Sequence, residues 1–203
     1  MRTQGRHPFE ISTARSRWAF TRRRGPLSAV LGIFLLCGFL GEARAEATAI
    51  SREYQIKAAF LFNFTKFVEW PPKTFPDESS PIVIGVLGRN PFGGELDKIA
   101  NGRTVNGRAV QVRLISTASE VFGVQVLFVP AGEESRLRAS AWRNAPVVVV
   151  GESNSFAALG GLITFTREAD KVRFSINLES ADRAGLKISA QLLKLAADVH
   201  RTP

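Results

Sequence analysis

The stretch Ala145-Pro-Val-Val-Val-Val-Gly151 decides the fold class, because its four consecutive valines predict a strand that is apolar on both faces. The proline opens this strand and the glycine closes it. Two further runs, Ile82–Leu87 and Val124–Val129, have the same continuous apolar character and end at Gly88 and Pro130. Strands that are buried on both faces are typical of parallel sheets covered by helices.

Segments with helical or strand character alternate with these runs. Helices are predicted at Ser51–Trp70, at Pro91–Ala100 and at Glu133–Arg143. A last helix is predicted after the N-cap residue Ser189, with Leu192, Leu195 and Val199 on one face. Further strands are predicted at Ala109–Ile115, Leu162–Thr166 and Val172–Leu178, the last two flanking a polar turn. The sequence therefore predicts one layered α/β domain over residues 46–203, with a central, largely parallel β-sheet flanked by helices and a C-terminal β-hairpin.

The positive charge of the chain is concentrated before residue 45. The net charge of the 203 residues is +9. Residues 1–45 contribute eight basic and two acidic residues to it, and the rest of the chain contributes 19 basic and 16 acidic residues. That second part lacks the clustered basic face of a nucleic-acid-binding surface. An apolar fraction of 45% with 22% charged residues is typical of a folded domain, and we expect no nucleic-acid partner.

Residues 1–45 have the pattern of a signal peptide. Arg22-Arg-Arg24 ends a basic region, an apolar run extends from Leu27 to Leu40, and Ala43-Arg-Ala45 supplies the small residues of a cleavage site. The apolar run is shorter than the roughly 20 residues that a membrane-spanning helix needs, so a retained anchor is the less favoured alternative. We expect cleavage after Ala45 and a mature protein in the periplasm, exported by the Sec or the twin-arginine route.

The predicted mature chain offers few groups for catalysis. Its one histidine, His200, lies close to the C-terminus, where we expect it to be solvated rather than to act as a base. The single cysteine, Cys37, belongs to the signal peptide, which excludes thiol catalysis, disulfides and a Cys/His metal site in the mature chain. Neither Gly85-Val-Leu-Gly88 nor Gly151-Glu-Ser-Asn-Ser155 has the spacing of a nucleotide-binding loop. We predict no enzymatic activity, no catalytic residue, no metal and no cofactor.

The first predicted helix carries apolar side chains on more than one face. One stripe consists of Ile56, Ala59, Phe60, Phe64, Phe67 and Val68. Leu61 and Phe62 project to another side. The chain's own loops could bury them, since apolar residues usually belong to the core, or they could form an exposed patch that binds a partner. Leu61 and Phe62 are therefore candidate partner-binding residues.

The second conspicuous segment, residues 172–189, alternates apolar and polar side chains along its strand. Asn177 could bond the turn that follows, and Arg183 could pair with Asp182 or Glu179. Such residues near turns often satisfy backbone groups, so structural bracing is as well supported as a binding role.

The order of motifs in the chain resembles that of the YfiR family of exported bacterial proteins. The motifs that carry the resemblance are Tyr54-Gln-Ile-Lys57-Ala-Ala-Phe60-Leu-Phe-Asn63-Phe-Thr-Lys-Phe67-Val-Glu-Trp70-Pro71, Gly88-Arg-Asn-Pro-Phe92-Gly, Val105-Asn-Gly-Arg108, Gly160-Gly161-Leu-Ile-Thr-Phe165, and Phe174-Ser-Ile-Asn177-Leu with Arg183-Ala-Gly185-Leu-Lys187-Ile-Ser189 and Leu192-Leu-Lys-Leu195-Ala. These motifs occur in order from about residue 51 to residue 199, nearly the whole predicted mature chain.

The resemblance implies a periplasmic α/β protein without catalysis that binds the periplasmic sensor region of an inner-membrane diguanylate cyclase and holds it inactive. It also implies an outer-membrane lipoprotein that sequesters the repressor, and small ligands near the last strand. The positions that match the ligand-contacting end of the last motif are Ser175, Lys187 and Ser189, which are therefore candidate ligand-binding residues. Better-studied members carry disulfide cysteines, and because this mature sequence has none, we expect no redox control.

Two interpretations of function follow from the sequence. The favoured one is a periplasmic regulatory adaptor that inhibits a diguanylate cyclase or a sensor kinase, lowering cyclic di-GMP and biofilm formation. The alternative is a periplasmic small-molecule binding protein, which needs an enclosed pocket. An envelope hydrolase is disfavoured because the mature chain lacks a base and a nucleophile. The sequence leaves open whether the chain forms a homodimer.

Overall fold

The computed structural model describes residues 52–136, 142 and 145–201. The predicted signal peptide at residues 1–45 lies outside this range, as does most of the second half of the helix predicted at Glu133–Arg143. Within the described chain, no helix combines the length and the apolar character that crossing a membrane requires.

Five α-helices and ten strands make up the described chain. The helices are α1 (residues 52–67), α2 (Glu95–Ala100), α3 (Asn154–Ala158), α4 (Leu178–Arg183) and α5 (Ala190–Leu195). The strands are β1 (Val68–Glu69), β2 (Ile82–Leu87), β3 (Thr104–Val105), β4 (Arg108–Ile115), β5 (Val126–Val129), β6 (Val148–Gly151), β7 (Ile163–Glu168), β8 (Lys171–Asn177), β9 (Lys187–Ile188) and β10 (Asp198–His200). Three-residue or four-residue 3-10 segments occur at Pro72–Thr74, Ala118–Val121 and Glu134–Arg136.

Eight of these strands form one sheet in the order β10-β8-β7-β6-β5-β2-β4-β3. Strands β4, β2, β5, β6 and β7 are parallel, whereas β8 runs antiparallel to β7 and β3 antiparallel to β4. The predicted layered α/β class and the C-terminal hairpin are thereby confirmed. Strands β1 and β9 form a separate antiparallel pair that the sequence did not predict.

The central strands are buried on both faces, as their continuous apolar runs predicted. In β5, Val126 and Phe128 belong to one apolar cluster, while Leu127 and Val129 belong to a second. Successive side chains of a strand point to opposite faces of its sheet, so the two clusters occupy the two faces. Phe64 of α1 packs in the first cluster and Phe156 of α3 in the second.

Phe156 explains why glycine occupies two positions around β6. A Cβ at Gly151 or at Gly161 would overlap the Phe156 ring. The ring is fully buried in the second cluster. The glycine at the end of the valine run is therefore a packing requirement, and the segment after it forms the strand-to-helix turn between β6 and α3.

The C-terminal segment differs from the sequence prediction. The last helix begins at its N-cap Ser189, as predicted, but ends at Leu195. Val199 and His200, which were expected on a helix and in solvent, lie in β10, a strand parallel to β8. The Ala197 amide donates a hydrogen bond to the Phe174 carbonyl oxygen at 2.8 Å, and this bond returns the chain to the edge of the sheet.

Candidate functional site

The face of helix α1 that packs on the core overlaps only in part with the stripe that periodicity predicted. Ile56 and Ala59, both on that stripe, are exposed. Phe64 of the stripe is buried, and Phe60 and Phe67 pack against the core, but the buried face also carries Lys57 and Leu61. The expected apolar stripe is therefore correct only in part.

Of the two alternatives for Leu61 and Phe62, the structure shows burial by the chain itself and not an exposed patch. Leu61 is 0% exposed and Phe62 is 3% exposed, and both belong to the main apolar cluster. The Phe62 ring is covered from above, since the Lys66 ammonium lies 4.8 Å and the Arg103 guanidinium 5.4 Å from its centroid. Arg103 precedes β3, so a loop of the chain covers this side of the helix.

A buried ionic cluster occupies the face of α1 that points toward the carboxyl end of β6. Lys57 is 5% exposed, and its Nζ lies 2.5 Å from both Glu53 Oε1 and Glu152 Oε2. The same ammonium lies 4.7 Å from the ring centroid of Tyr54. Burying a charge costs much free energy unless it is paired, and the two carboxylates supply that pairing.

Glu152 joins three parts of the fold within this cluster. Its Oε1 accepts hydrogen bonds from the Tyr54 hydroxyl at 3.0 Å and from the Ala131 amide at 2.9 Å. Burial raises the pKa of Tyr54 well above its ordinary value. The negative charge of Glu152 and its hydrogen bond with the hydroxyl raise this pKa further. The cluster thus ties α1 to the loops that follow β5 and β6, and its groups are paired with one another, which suits a structural brace.

The sequence pattern does not predict this cluster, because its partners are far apart along the chain. Lys57 and Glu152 are separated by 95 positions, and no local spacing connects them. One signal was present: Lys57 shares a helical face with Leu61 and Phe64, and a lysine on a buried face needs a buried partner.

The three candidate ligand-binding residues do not all lie together. Lys187 and Ser189 flank Ile188 at the small sheet. Lys187 is exposed and lies opposite Glu69 in the register of β9 and β1. Ser175 lies in β8 of the large sheet, between β7 and β10. Their role in ligand binding stays a prediction.

The side chains of the segment between β8 and α5 are engaged in capping. Ser189 accepts a hydrogen bond from the Leu192 amide at 3.2 Å and caps α5. Asn177 Oδ1 accepts one from the Glu179 amide at 3.0 Å and caps α4, as the sequence predicted. Arg183 donates to Ser180 Oγ at 3.0 Å rather than pairing with a neighbouring acid.

Three exposed apolar side chains lie near the C-terminus and before β5, away from the part of α1 that carries Leu61. Leu195 at the end of α5 is 53% exposed and Val199 in β10 is 38% exposed, only four positions later. Phe122, just before β5, is 91% exposed. Among the described residues, no group of three or more His, Cys, Asp or Glu side chains is placed to hold a metal ion.

The fold and the site define a layered α/β domain whose buried charged groups brace α1 against the sheet. The model of the YfiR/HmsC-like family matches residues 54–197, and the chain belongs to this family. The resemblance drawn from the sequence motifs is thereby confirmed. No curated protein matches the chain at a significant level.

Proposed function

We propose that the chain is a periplasmic regulatory adaptor that binds and inhibits the periplasmic sensor domain of an inner-membrane signalling enzyme, namely a diguanylate cyclase. Inhibition lowers cyclic di-GMP and, with it, biofilm formation. The observation that carries the proposal is membership of the YfiR/HmsC-like family over residues 54–197. The same proposal includes an outer-membrane lipoprotein that sequesters the adaptor. It also includes a sensor kinase as the alternative to the diguanylate cyclase.

Export is the first part of the proposal. Ala43 and Ala45 present small residues where a signal peptidase requires them, so the mature chain begins at Glu46. N-terminal sequencing of the protein recovered from the periplasm tests this, and a sequence that began before Leu27 would contradict cleavage.

The contact surface is the second part. With Leu61 and Phe62 in the core, the exposed pair Leu195 and Val199 provides the apolar anchor. Buried apolar anchors supply most of the free energy of a protein interface, whereas exposed ion pairs supply about 0–1 kcal/mol each. Leu195 and Val199 lie on consecutive elements, α5 and β10, and together they expose more apolar surface than either side chain does alone.

Cells that lack the gene, complemented with variants, test the function. Deletion should raise cyclic di-GMP and matrix production, and the wild-type gene should restore repression. Leu195→Asp should fail to restore it, while Leu114→Asp should restore it fully. The two leucines are equally exposed, at 53% each, but Leu114 lies in β4 near the other end of the sheet. Unchanged cyclic di-GMP after deletion would refute the adaptor function, and full repression by Leu195→Asp would refute this surface.

A further inference from the structure

A groove opens where β5 and β6 begin, and no part of the proposed adaptor surface lines it. Its volume is about 550 Å³, within the range of small-molecule sites. Three segments line it: residues 73–76 after β1, residues 118–125 leading into β5, and residues 145–147 leading into β6. Two of these segments lead directly into β5 and β6, which are neighbouring strands of the large sheet.

The walls of the groove are mainly apolar. Val121, Val124 and Val147 are buried side chains that contribute to its lining. Pro146 lines it as well, and the Phe122 ring stands almost wholly exposed at its rim. Such walls bind the apolar body of a ligand by removing it from water.

Two side chains of the groove carry hydrogen-bond donors that a ligand can use, and one of these donors is buried without a partner. The Thr74 hydroxyl is buried and makes no hydrogen bond within the described chain. Gln125 is 2% exposed, and its Oε1 accepts a hydrogen bond from the Val83 amide at 2.7 Å. This bond fixes the orientation of the Gln125 amide and leaves its Nε2 as a donor. Buried donors are nearly always paired, so the Thr74 hydroxyl calls for an acceptor. Gln125 Nε2 can donate to the same acceptor.

A cation completes the polar side of the groove. Lys73 is exposed and makes no ion pair among the residues that the structure describes. The groove therefore combines two neutral donors and one positive charge with apolar walls. A carboxylate is the chemical group that accepts hydrogen bonds from hydroxyl and amide donors and also pairs with an ammonium.

We propose that this groove binds a small carboxylic acid with an apolar body. The body lies against Val121, Val124 and Val147, under Phe122. The carboxylate accepts hydrogen bonds from Thr74 Oγ1 and Gln125 Nε2 and lies within the field of the Lys73 ammonium. This inference does not depend on the adaptor function, because it concerns the isolated protein and a different surface.

Calorimetric titration of the protein purified from the periplasm tests the proposal. The probes are decanoate for an alkyl body and 3-phenylpropionate for an aryl body, each compared with the alcohol of the same carbon skeleton. We expect one site per chain for at least one of the acids, and binding of its alcohol weaker by about tenfold, which corresponds to about 1.4 kcal/mol. The tighter acid identifies the kind of body. Absence of saturable binding for both acids, or equal binding of acid and alcohol, would overturn the proposal.

Variants locate the binding at this groove. Lys73→Gln and Thr74→Val should each lower the affinity for the acid by several-fold to tenfold and should lower the affinity for the alcohol less. Ala118→Trp should fill the groove and abolish binding of both. Lys98→Gln, which removes an exposed lysine of α2, is the matched control and should bind as the wild type does. Thermal unfolding confirms that each variant is folded, and equal losses in Lys73→Gln and Lys98→Gln would show that the site lies elsewhere.

Discussion

Lys57 Nζ lies 2.5 Å from Glu152 Oε2, and this contact joins the first helix to the end of β6 across 95 positions of sequence. Both side chains are more than nine-tenths buried. Removing one partner of a buried pair leaves the other charge without compensation, which costs about 3–5 kcal/mol. We predict that Lys57→Met lowers the free energy of unfolding by about this amount, measured by urea denaturation.

The matched control for this variant is Lys98→Met, because Lys98 forms an exposed pair with Glu95. Its loss should cost about 0–1 kcal/mol. In the double variant Lys57→Met/Glu152→Gln, the neutral amide still offers an acceptor to Tyr54, so much of the stability should return. Equal losses for the two lysine variants would show that the buried pair does not brace the fold.

Tyr54 gives a spectroscopic view of the same cluster, because it is the only tyrosine in the chain. Its raised pKa means that the folded protein keeps the phenol protonated at pH values where a free tyrosine, with a pKa near 10, ionises. Phenolate absorbance should therefore appear only at higher pH in the native protein than in the urea-unfolded protein. Glu152→Gln should lower the pKa toward its ordinary value, since it removes a neighbouring negative charge.

The sign of the linked stability change follows from proton binding. Above pH 10 the unfolded chain has released a proton that the native chain still holds, so the contribution of Tyr54 to stability falls as pH rises from the unfolded pKa toward the folded one. Native and unfolded protein with the same phenolate titration midpoint would contradict this prediction.

Gly161 is occupied by glycine because Phe156 fills the space of a side chain. We predict that Gly161→Ala lowers the free energy of unfolding by about 1–3 kcal/mol, the usual cost of overpacking a core. Gly94→Ala is the control, since a Cβ there meets no atom within 4 Å and its backbone φ is negative. Thermal unfolding compares the two, and adding Phe156→Leu should recover part of the loss at Gly161. A Gly161→Ala protein as stable as Gly94→Ala would place the ring elsewhere.

Two phenylalanines at opposite extremes of burial separate core from surface. Phe62→Ala should cost about 3–5 kcal/mol, as for other buried aromatic side chains. Phe122→Ala should stay within about 0.5 kcal/mol of the wild type, because its ring is 91% exposed. Urea denaturation checks both. If Phe62→Ala had near wild-type stability, Phe62 would not be a core residue and would again be a candidate for partner binding.

The fold class was predictable because its decisive strands carry their signal locally. Continuous apolar runs such as Ile82–Leu87 can be buried only between two layers, and the structure has the strands at these places with small shifts, as with Val126–Val129 for the run from Val124. Strand β10 was not predictable by the same means. Leu192, Leu195 and Val199 have helical spacing, and only the pairing of Val199 with Ile176 in β8 makes the last of them part of a strand.

The site was less predictable than the fold because burial depends on contacts distant in sequence. Periodicity identified α1 as amphipathic but could not decide which of two apolar faces meets the sheet. The pairing of Lys57 with Glu152 and the cover of Arg103 over Phe62 fix that choice. The capping role of Asn177 was predictable, since it involves only the amides two and three positions further along the chain.

The short strand β10 also controls how the molecule meets other molecules. Its three residues pair with Ser175, Ile176 and Asn177, and they occupy the edge that β8 would otherwise expose. An uncovered strand edge is a template for pairing with another chain and so for aggregation. A protein that ended before Asp198 would thus lose little of its core but would present β8 as an open edge, and its self-association would rise with concentration.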